Sequence, residues 1–362
     1  MQSAHSRAPG RVELLGNHTD YNAGVILSAA INYAVTAAGE RIDEPVVRLT
    51  SAAYPQTISV PLAGLARQTG AASWTNYPLG VVDCLQKEGF TLGGMQLRFA
   101  SDLPEGAGLS SSAALEVATA CLLKKLFALD LADPMHLAKI CRRAENEFAG
   151  VSCGLLDQVS SVFGKAGHAI FLDCRSEEVS NLPLPAAAAL LVFQSGVPHR
   201  LAGGEYNERR EQCFAAATAL GVSALREISG PQLAATRAKL DSTVFRRAAH
   251  VVGENERVFA GIKCLQAGDV AGFGALMFAS HESSRTNFEN STPELDTLVE
   301  LARAIPGVFG SRLTGGGFGG ATISLVEKNR APEIAARLSA DYTAASGHRG
   351  APYICTSADG AA

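Results

Sequence analysis

The stretch 103–114 reads LPEGAGLSSSAA and runs directly into a strongly apolar segment that ends near Leu126. This pattern predicts a glycine- and serine-rich loop followed by a buried α-helix. The N–H groups in the first turn of a helix lack intrahelical partners, and the positive end of the helix dipole attracts anions. The glycines would let the backbone approach a ligand closely. Taken alone, the stretch fits a phosphate-binding loop and an ordinary serine-capped helix equally well.

The composition indicates a globular enzyme that acts on small molecules. The chain has 362 residues, 47% of them hydrophobic, and a net charge of -4. This length favours two domains. Because no run of lysine or arginine is present, we expect neither a nucleic-acid partner nor a membrane partner. The eight cysteines form no CxxC pair and no signal peptide is evident, so we expect buried thiols in a cytoplasmic protein.

Alternating strand and helix patterns divide the chain into two α+β halves. A strand over 95–100 precedes the loop at 103–114, and a helix over 134–148 carries Glu145. Proline and alanine become frequent over 177–188, and a new strand begins at Leu190. We therefore predict an N-terminal domain over 1–180 and a C-terminal domain over 181–362. The C-terminal domain is predicted to be mainly helical.

Two further loops are rich in polar groups or glycine. Residues 8–24 read APGRVELLGNHTDYNAG and end in a loop suited to binding a ligand with many hydroxyls. Residues 312–320 read RLTGGGFGG, which has too many glycines for a simple turn. Two single residues leave alternatives open. Asp157 is either a helix cap or a buried functional carboxylate, and Trp74 is either a core residue or a stacking partner for a flat ligand.

Together, the three loops resemble the three motifs of the GHMP kinases, a family of sugar and mevalonate kinases. Residues 10–12 and 16–22 resemble the galactokinase signature of that family. Supporting blocks occur at 153–158, 173–176, 203–210 and 280–283. The resemblance covers nearly the whole chain, from Ala8 to about Val326, with its blocks in the family order.

The resemblance implies a two-domain α+β fold, with an N-terminal ribosomal protein S5-like domain, a C-terminal ferredoxin-like domain and the active site in the cleft between them. It implies ATP-dependent phosphorylation of the anomeric hydroxyl of galactose, giving galactose 1-phosphate and ADP. By this analogy Trp74 lies against the adenine, and Glu145 and Ser112 bind Mg²⁺. The residues implied to bind the ATP phosphates are Gly106, Gly108, Ser110, Ser111 and Ser112.

The same analogy assigns the catalytic and sugar-binding residues. Asp157 would be the general base that accepts the proton of the sugar hydroxyl. Arg11 would orient it and offset charge on the transferred phosphoryl group. The third loop would brace the cleft, and the protein would be a monomer or a weak homodimer. The residues implied to hold the sugar are Asn17, His18, Asp20, Gly154 and Tyr206.

The first loop departs from the galactokinase pattern at two positions. Galactokinases usually carry Asn where this chain has Glu13, and Glu where it has Asn17. If Asn17 faces the sugar, an amide replaces an ionised acceptor there, and Asn17→Glu would lower the KM for galactose. Galacturonate, arabinose or an N-acetylhexosamine therefore remain alternative substrates. A non-catalytic sugar and ATP sensor is disfavoured, since such proteins lose the Ser-Ala pair present here as Ser112 and Ala113.

Overall fold

A computed structural model describes residues 3–104, 106–197 and 204–362. Glu105 of the 103–114 loop and Gly203 of the 203–210 block lie outside the described residues. The strands are β1 (Ser3–Leu15), β2 (Val25–Arg41), β3 (Val46–Ser51), β4 (Tyr54–Pro61), β5 (Met95–Ser101), β6 (His168–Asp173), β7 (Val179–Pro183), β8 (Ala188–Gln194), β9 (Val308–Thr314), β10 (Ala321–Glu327) and β11 (Ala351–Cys355). The helices are α1 (Asn76–Lys87), α2 (Ser111–Phe127), α3 (Pro134–Arg143), α4 (Leu156–Phe163), α5 (Glu205–Leu220), α6 (Gly230–Ala235), α7 (Ser242–Ala267), α8 (Val270–Ser283), α9 (Pro293–Ala304) and α10 (Ala331–Ser346).

The long strand β2 organises the first sheet. Its length lets it pair with β1 on one side and with β5 and then β6 on the other, within a seven-stranded sheet of order β4-β3-β5-β2-β6-β7. Helix α2 packs on β1 and β2 and contacts α1, α3 and α4 on its other sides. Val117 and Leu122 are therefore fully buried, as the apolar sequence of this helix predicts.

The second sheet has four antiparallel strands in the order β11-β8-β10-β9. Its apolar side chains pack with α9 and α10, and the buried Tyr342 of α10 donates a hydrogen bond to the Ser195 carbonyl. The predicted domain boundary at 180 falls inside β7, which belongs to the first sheet. The chain changes sheet between Pro183 and Ala188, and the C-terminal residues return to pair with β1 at Arg7.

Two elements differ from their sequence predictions. The predicted helix over 134–148 is α-helical only to Arg143, and one π-helical turn (Ala144–Ala149) completes it. Such turns are frequent at functional sites, and this one carries Glu145. Strand β9 covers Arg312 and Leu313, which the sequence pattern assigned to the glycine loop, so that loop begins only after Thr314. Among the described residues, none of the helices is long and apolar enough to cross a bilayer.

Close approach of α8 to β9 gives a first prediction. A Cβ atom on Gly274 would lie 1.9 Å from the Phe309 carbonyl oxygen, so Gly274→Ala must separate the helix from the strand that leads into the third loop. Overpacking of this kind should lower the free energy of unfolding by about 1–3 kcal/mol. Urea unfolding of this variant, with Gly93→Ala as a control whose Cβ would meet only a side chain at 3.7 Å, measures the effect. Equal stability of the two variants would contradict the close packing.

Candidate active site

A cleft of about 660 Å³ lies where the three loops meet. This volume suits a small-molecule ligand site. The first loop follows β1, the second precedes α2, and the third joins β9 to β10, so both sheets contribute to the cleft. Three of the predicted site residues, Trp74, Gly106 and Ser111, do not line it. The predicted residues that line it are Arg11, Asn17, His18, Asp20, Gly108, Ser110, Ser112, Glu145, Gly154, Asp157 and Tyr206.

Arg11 and Asp157 form the polar centre of the cleft. The Arg11 Nε atom donates to Asp157 Oδ1 at 2.7 Å, and its Nη1 atom donates to the Gly108 carbonyl at 2.6 Å. The Ser110 hydroxyl donates to Asp157 Oδ2 at 2.5 Å. The Asp157 side chain is 23% exposed, so it remains accessible from the cleft. Asp157 lies in the first turn of α4, whose N-cap position is occupied by Leu155, and its half-buried carboxylate is held by these partners; its function stays a prediction.

Ser110 does not cap α2. Its backbone is left-handed, with φ of 57°, and its side chain bonds to Asp157 instead of to the helix N-terminus. Because no side-chain cap is present at this helix start in the part of the chain that the structure describes, its first-turn N–H groups stay available to a ligand. His18 in the first loop and Phe318 in the third also have positive φ values, of 60° and 59°. Such strained backbone tends to cluster at ligand-binding sites.

Glu145 and Ser112 lie on the wall of the same cleft and could hold a cation. The Glu145 carboxylate accepts hydrogen bonds from Gln158 Nε2 at 2.7 Å and from the Cys153 thiol at 3.3 Å. Burial, followed by the negative charge of Asp157, raises the pKa of Glu145, while hydrogen bonds from Ser112 and its other neighbours oppose this shift. No cationic side chain among the described residues pairs with Glu145, and a buried carboxylate of this kind suits a metal ion that would compensate its charge.

The donor set fits Mg²⁺ bound together with a nucleotide. Within the ranges that the structure describes, His, Cys, Asp and Glu residues form no group of three that could cage a metal. Mg²⁺ is usually held by one or two carboxylates together with water and substrate phosphates. Glu145 with the Ser112 hydroxyl supplies an oxygen pair of this kind beside the available N–H groups of α2.

Asp20 and Gly154, two of the predicted sugar-binding residues, lie against each other in the cleft. A Cβ atom on Gly154 would lie 1.8 Å from Asp20 Oδ2, so only glycine leaves room for this carboxylate. Burial raises the pKa of Asp20 to about 6, although the Tyr21 backbone N–H opposes the shift. Tyr206, at the start of α5, also lines the cleft and lies 5.2 Å from the His18 ring.

Both ring nitrogens of His18 have partners within the protein, and its role as a sugar ligand stays a prediction. Its Nε2 atom lies 3.0 Å from the Gly316 carbonyl oxygen, which can only accept, so Nε2 carries the proton. Burial lowers the pKa of His18 to about 4, so the ring is neutral and its Nδ1 atom accepts from the Tyr21 hydroxyl at 2.9 Å. His18 thus ties the first loop to the third.

Asn17 makes a similar tie, and its contact with the sugar stays a prediction. Its Nδ2 atom donates to the Gly315 carbonyl at 2.8 Å and to Glu13 Oε1 at 3.1 Å. Its Oδ1 atom accepts from Asn290 Nδ2 at 3.0 Å, and the residue is 1% exposed. The bracing role that the sequence predicted for the third glycine loop therefore depends on Asn17 and His18.

Known proteins of the same architecture match this chain over its whole length. Residues 2–41 match the galactokinase galactose-binding signature, residues 76–165 the GHMP kinases N terminal domain, and residues 262–344 the GHMP kinases C terminal region. The chain is 43% identical to the galactokinase of Roseiflexus sp. (strain RS-1) over 98% of this chain and 91% of that one. It is also 43% identical to the galactokinase of Homo sapiens, over 98% and 90%. The chain belongs to the galactokinase family.

Solved structures agree with this assignment. A galactokinase from Lactococcus lactis, crystallised in complex with galactose, matches with a TM-score of 0.95 and 31% identity over 100% of this chain and 95% of that one. The mevalonate kinase of Methanococcus jannaschii matches with a TM-score of 0.71 and 17% identity over 98% of each chain, which shows a shared fold. The predicted two-domain GHMP kinase fold is confirmed.

Trp74 lies apart from the cleft of this galactokinase family member. Its ring stacks on Tyr54 with centroids 5.8 Å apart and planes 8° apart, and it meets the edge of Phe99 at 6.0 Å. These contacts correspond to the core-packing alternative for Trp74. Tyr77, one turn further along, lines the cleft instead. Contact of Trp74 with adenine stays a prediction.

Sequence reasoning missed two residues beneath the candidate metal site. Gln158 Nε2 bridges Glu145 and Glu116, lying 3.1 Å from Glu116 Oε2. Glu116 is fully buried, and burial raises its pKa well above the usual value. A local signal was available, since Glu116 follows Ser112 by four residues on α2 and so shares its helix face. A charged residue within so apolar a helix is itself informative.

The raised pKa of Asp20 gives a second prediction. Because its pKa of about 6 in the folded state exceeds the usual 3.8, the stability contributed by its protonation is present below about pH 4 and is lost as pH rises through 6. Asp20→Asn should therefore raise the free energy of unfolding at pH 7.5 by about 1–3 kcal/mol, and much less at pH 4. Denaturant unfolding at both pH values measures this difference, which a pH-independent effect would contradict.

Proposed function

We propose that this chain transfers the γ-phosphoryl group of ATP to the anomeric hydroxyl of galactose, giving galactose 1-phosphate and ADP. Galactokinase relatives at 43% identity over nearly the whole chain and the likeness to a galactokinase bound to galactose support this proposal. The contact of Asp157 with Arg11 and Ser110 carries it, because this contact joins a candidate base to the phosphate loop.

In this proposal Asp157 accepts the proton of the anomeric hydroxyl as the oxygen of that hydroxyl attacks the γ-phosphorus of ATP. A positioned general base contributes a factor of about 10²–10⁴ to the rate. Arg11 holds Asp157 in place and brings positive charge to the γ-phosphoryl group, whose transfer depends mainly on positioning and charge compensation. The Gly108 carbonyl fixes the second arm of Arg11, so the base and the phosphate loop keep a constant separation.

Substrate binding divides between the two sides of the cleft. On one side, Gly106, Gly108 and the serines of the second loop bind the ATP phosphates with the free N–H groups of α2. Mg²⁺ held by Glu145 and Ser112 would neutralise phosphate charge when bound. On the other side, Asp20, Gly154 and Tyr206 bind the sugar.

We further place this reaction in the cytoplasm and expect a monomer or a weak homodimer. All eight cysteines are free thiols in the structure, which suits a reducing compartment.

Removal of the proposed base is the third prediction. Asp157→Ala should lower kcat by at least about 10²-fold, because the proton of the attacking hydroxyl loses its acceptor. A coupled assay of ADP release over hexoses, pentoses and uronic acids measures this, with Asp341→Ala, at an exposed ion pair on α10, as a matched control. Absence of turnover by the wild type with every sugar would refute the kinase assignment, and equal turnover by the two variants would refute the role of Asp157 as base.

The candidate metal site gives the fourth prediction. Glu145→Gln keeps the shape of the side chain but removes its charge, so half-maximal activity should require about tenfold more Mg²⁺. Titration of ADP release with Mg²⁺ at saturating ATP and galactose tests this, and Glu333→Gln on the exposed face of α10 is the control. An unchanged Mg²⁺ requirement in Glu145→Gln would show that another group binds the metal.

A further inference from the structure

The two departures from the galactokinase pattern contact each other. Galactokinases usually have Asn at position 13 and Glu at position 17, whereas this chain has Glu13 and Asn17. Asn17 Nδ2 donates to Glu13 Oε1 at 3.1 Å, so the acid and the amide have exchanged places within one hydrogen-bonded pair. The carboxylate is retained, and it now projects from β1 instead of from the loop.

Asn17 has little capacity left for a ligand. Both hydrogens of its Nδ2 atom are used, by Glu13 and by the Gly315 carbonyl, and its Oδ1 atom accepts from Asn290. Its backbone N–H donates to the buried Glu254 carboxylate at 2.8 Å. The residue therefore positions other groups.

Glu13, unlike Asn17, keeps one side-chain oxygen that can accept a hydrogen bond from a ligand. Its Oε1 atom accepts from Arg312 Nη1 at 2.9 Å as well as from Asn17, and Arg312 is fully buried. Its Oε2 atom has no hydrogen-bond partner among residues 3–104, 106–197 and 204–362, and Glu13 lines the cleft. Its negative charge is close enough to Asp20 to raise the pKa of that carboxyl. One oxygen is thus anchored while the other can accept from a ligand.

We propose that Glu13 determines sugar specificity in this chain, with Oε2 accepting a hydrogen bond from one non-reacting hydroxyl of the sugar, and that Asn17 is the positioning residue that holds it. This inference rests on the proposed function and deepens it. Two carboxylates, Glu13 and Asp20, on the sugar side favour a neutral sugar rich in hydroxyl donors. They disfavour a uronate, whose own negative charge would be repelled there.

The exchange reverses the expectation from sequence for Asn17→Glu. A glutamate at position 17 would place a second carboxylate beside Glu13, where the backbone already contacts Glu254. We expect this variant to raise the KM for galactose, since the two carboxylates at positions 13 and 17 would repel each other and move Glu13 from its place. The double variant Glu13→Asn/Asn17→Glu keeps one acid and one amide, and should bring the KM back towards that of the wild type.

The test measures KM for galactose, for its four monodeoxy forms and for ATP, together with thermal unfolding with and without sugar. Glu13→Gln replaces a carboxyl acceptor by an amide of the same shape, so the KM for galactose should rise about tenfold while the KM for ATP is unchanged. For the one deoxy sugar that lacks the contacted hydroxyl, Glu13→Gln should leave the KM unaltered. Glu333→Gln, at an exposed Glu-Arg pair on α10, controls for charge removal.

Three outcomes would overturn the inference. An equal rise in KM for galactose and every deoxy sugar would make Glu13 merely structural, and a lower KM in Asn17→Glu would place position 17 at the sugar. If Glu13→Gln does not fold, a double variant with a KM no better than that of Asn17→Glu would refute the exchange. If the wild type turns over galactose and one of these three results is obtained, only the inference is refuted. Absence of both turnover and sugar-induced stabilisation in the wild type would refute the proposed function as well.

Discussion

The ties made by Arg11 constrain every other part of the cleft. This side chain is 6% exposed and projects from β1, and it contacts the second loop at Gly108 and α4 at Asp157. Its backbone N–H also donates to the Leu109 carbonyl. A buried guanidinium must satisfy its donors, because leaving a buried charge unpaired costs about 3–5 kcal/mol. Folding therefore fixes the distance between Asp157, the candidate base, and the second loop before any ligand binds.

The third glycine loop extends this constraint across the two sheets. Its Gly315 and Gly316 carbonyls accept from Asn17 and His18, so the second sheet is attached to the first loop through backbone atoms. The buried Glu254 carboxylate of α7 accepts hydrogen bonds from the backbone N–H groups of Gly16 and Asn17. Burial opposes ionisation of Glu254, but the charges of Arg257 and Arg312 outweigh it and lower its pKa. The cleft is thus assembled from ties internal to the protein and leaves Asp20, Asp157 and Glu145 accessible from it.

Local sequence patterns predicted the three loops and many of the strands and helices, because glycine content, strand alternation and helix starts are properties of neighbouring residues. The meeting of Arg11 with Asp157 was implied by the resemblance to the GHMP kinases and not by local pattern. The partners of Asn17 and His18 could not be predicted in this way. Their acceptors lie 298 residues away in the chain, and only the packing of two sheets brings them together. Trp74 shows the same limit, since its pattern suits stacking but the partner found is Tyr54.

In the proposed reaction, the geometry around Asp157 directs phosphoryl transfer to the anomeric oxygen of a sugar. The most direct measurement is phosphorus–proton correlation NMR of the product formed from galactose and ATP. We expect one phosphomonoester whose phosphorus couples to the anomeric proton, in an amount equal to the ADP released. A phosphate coupled to any other sugar proton, or ADP release with inorganic phosphate as the only other product, would contradict it.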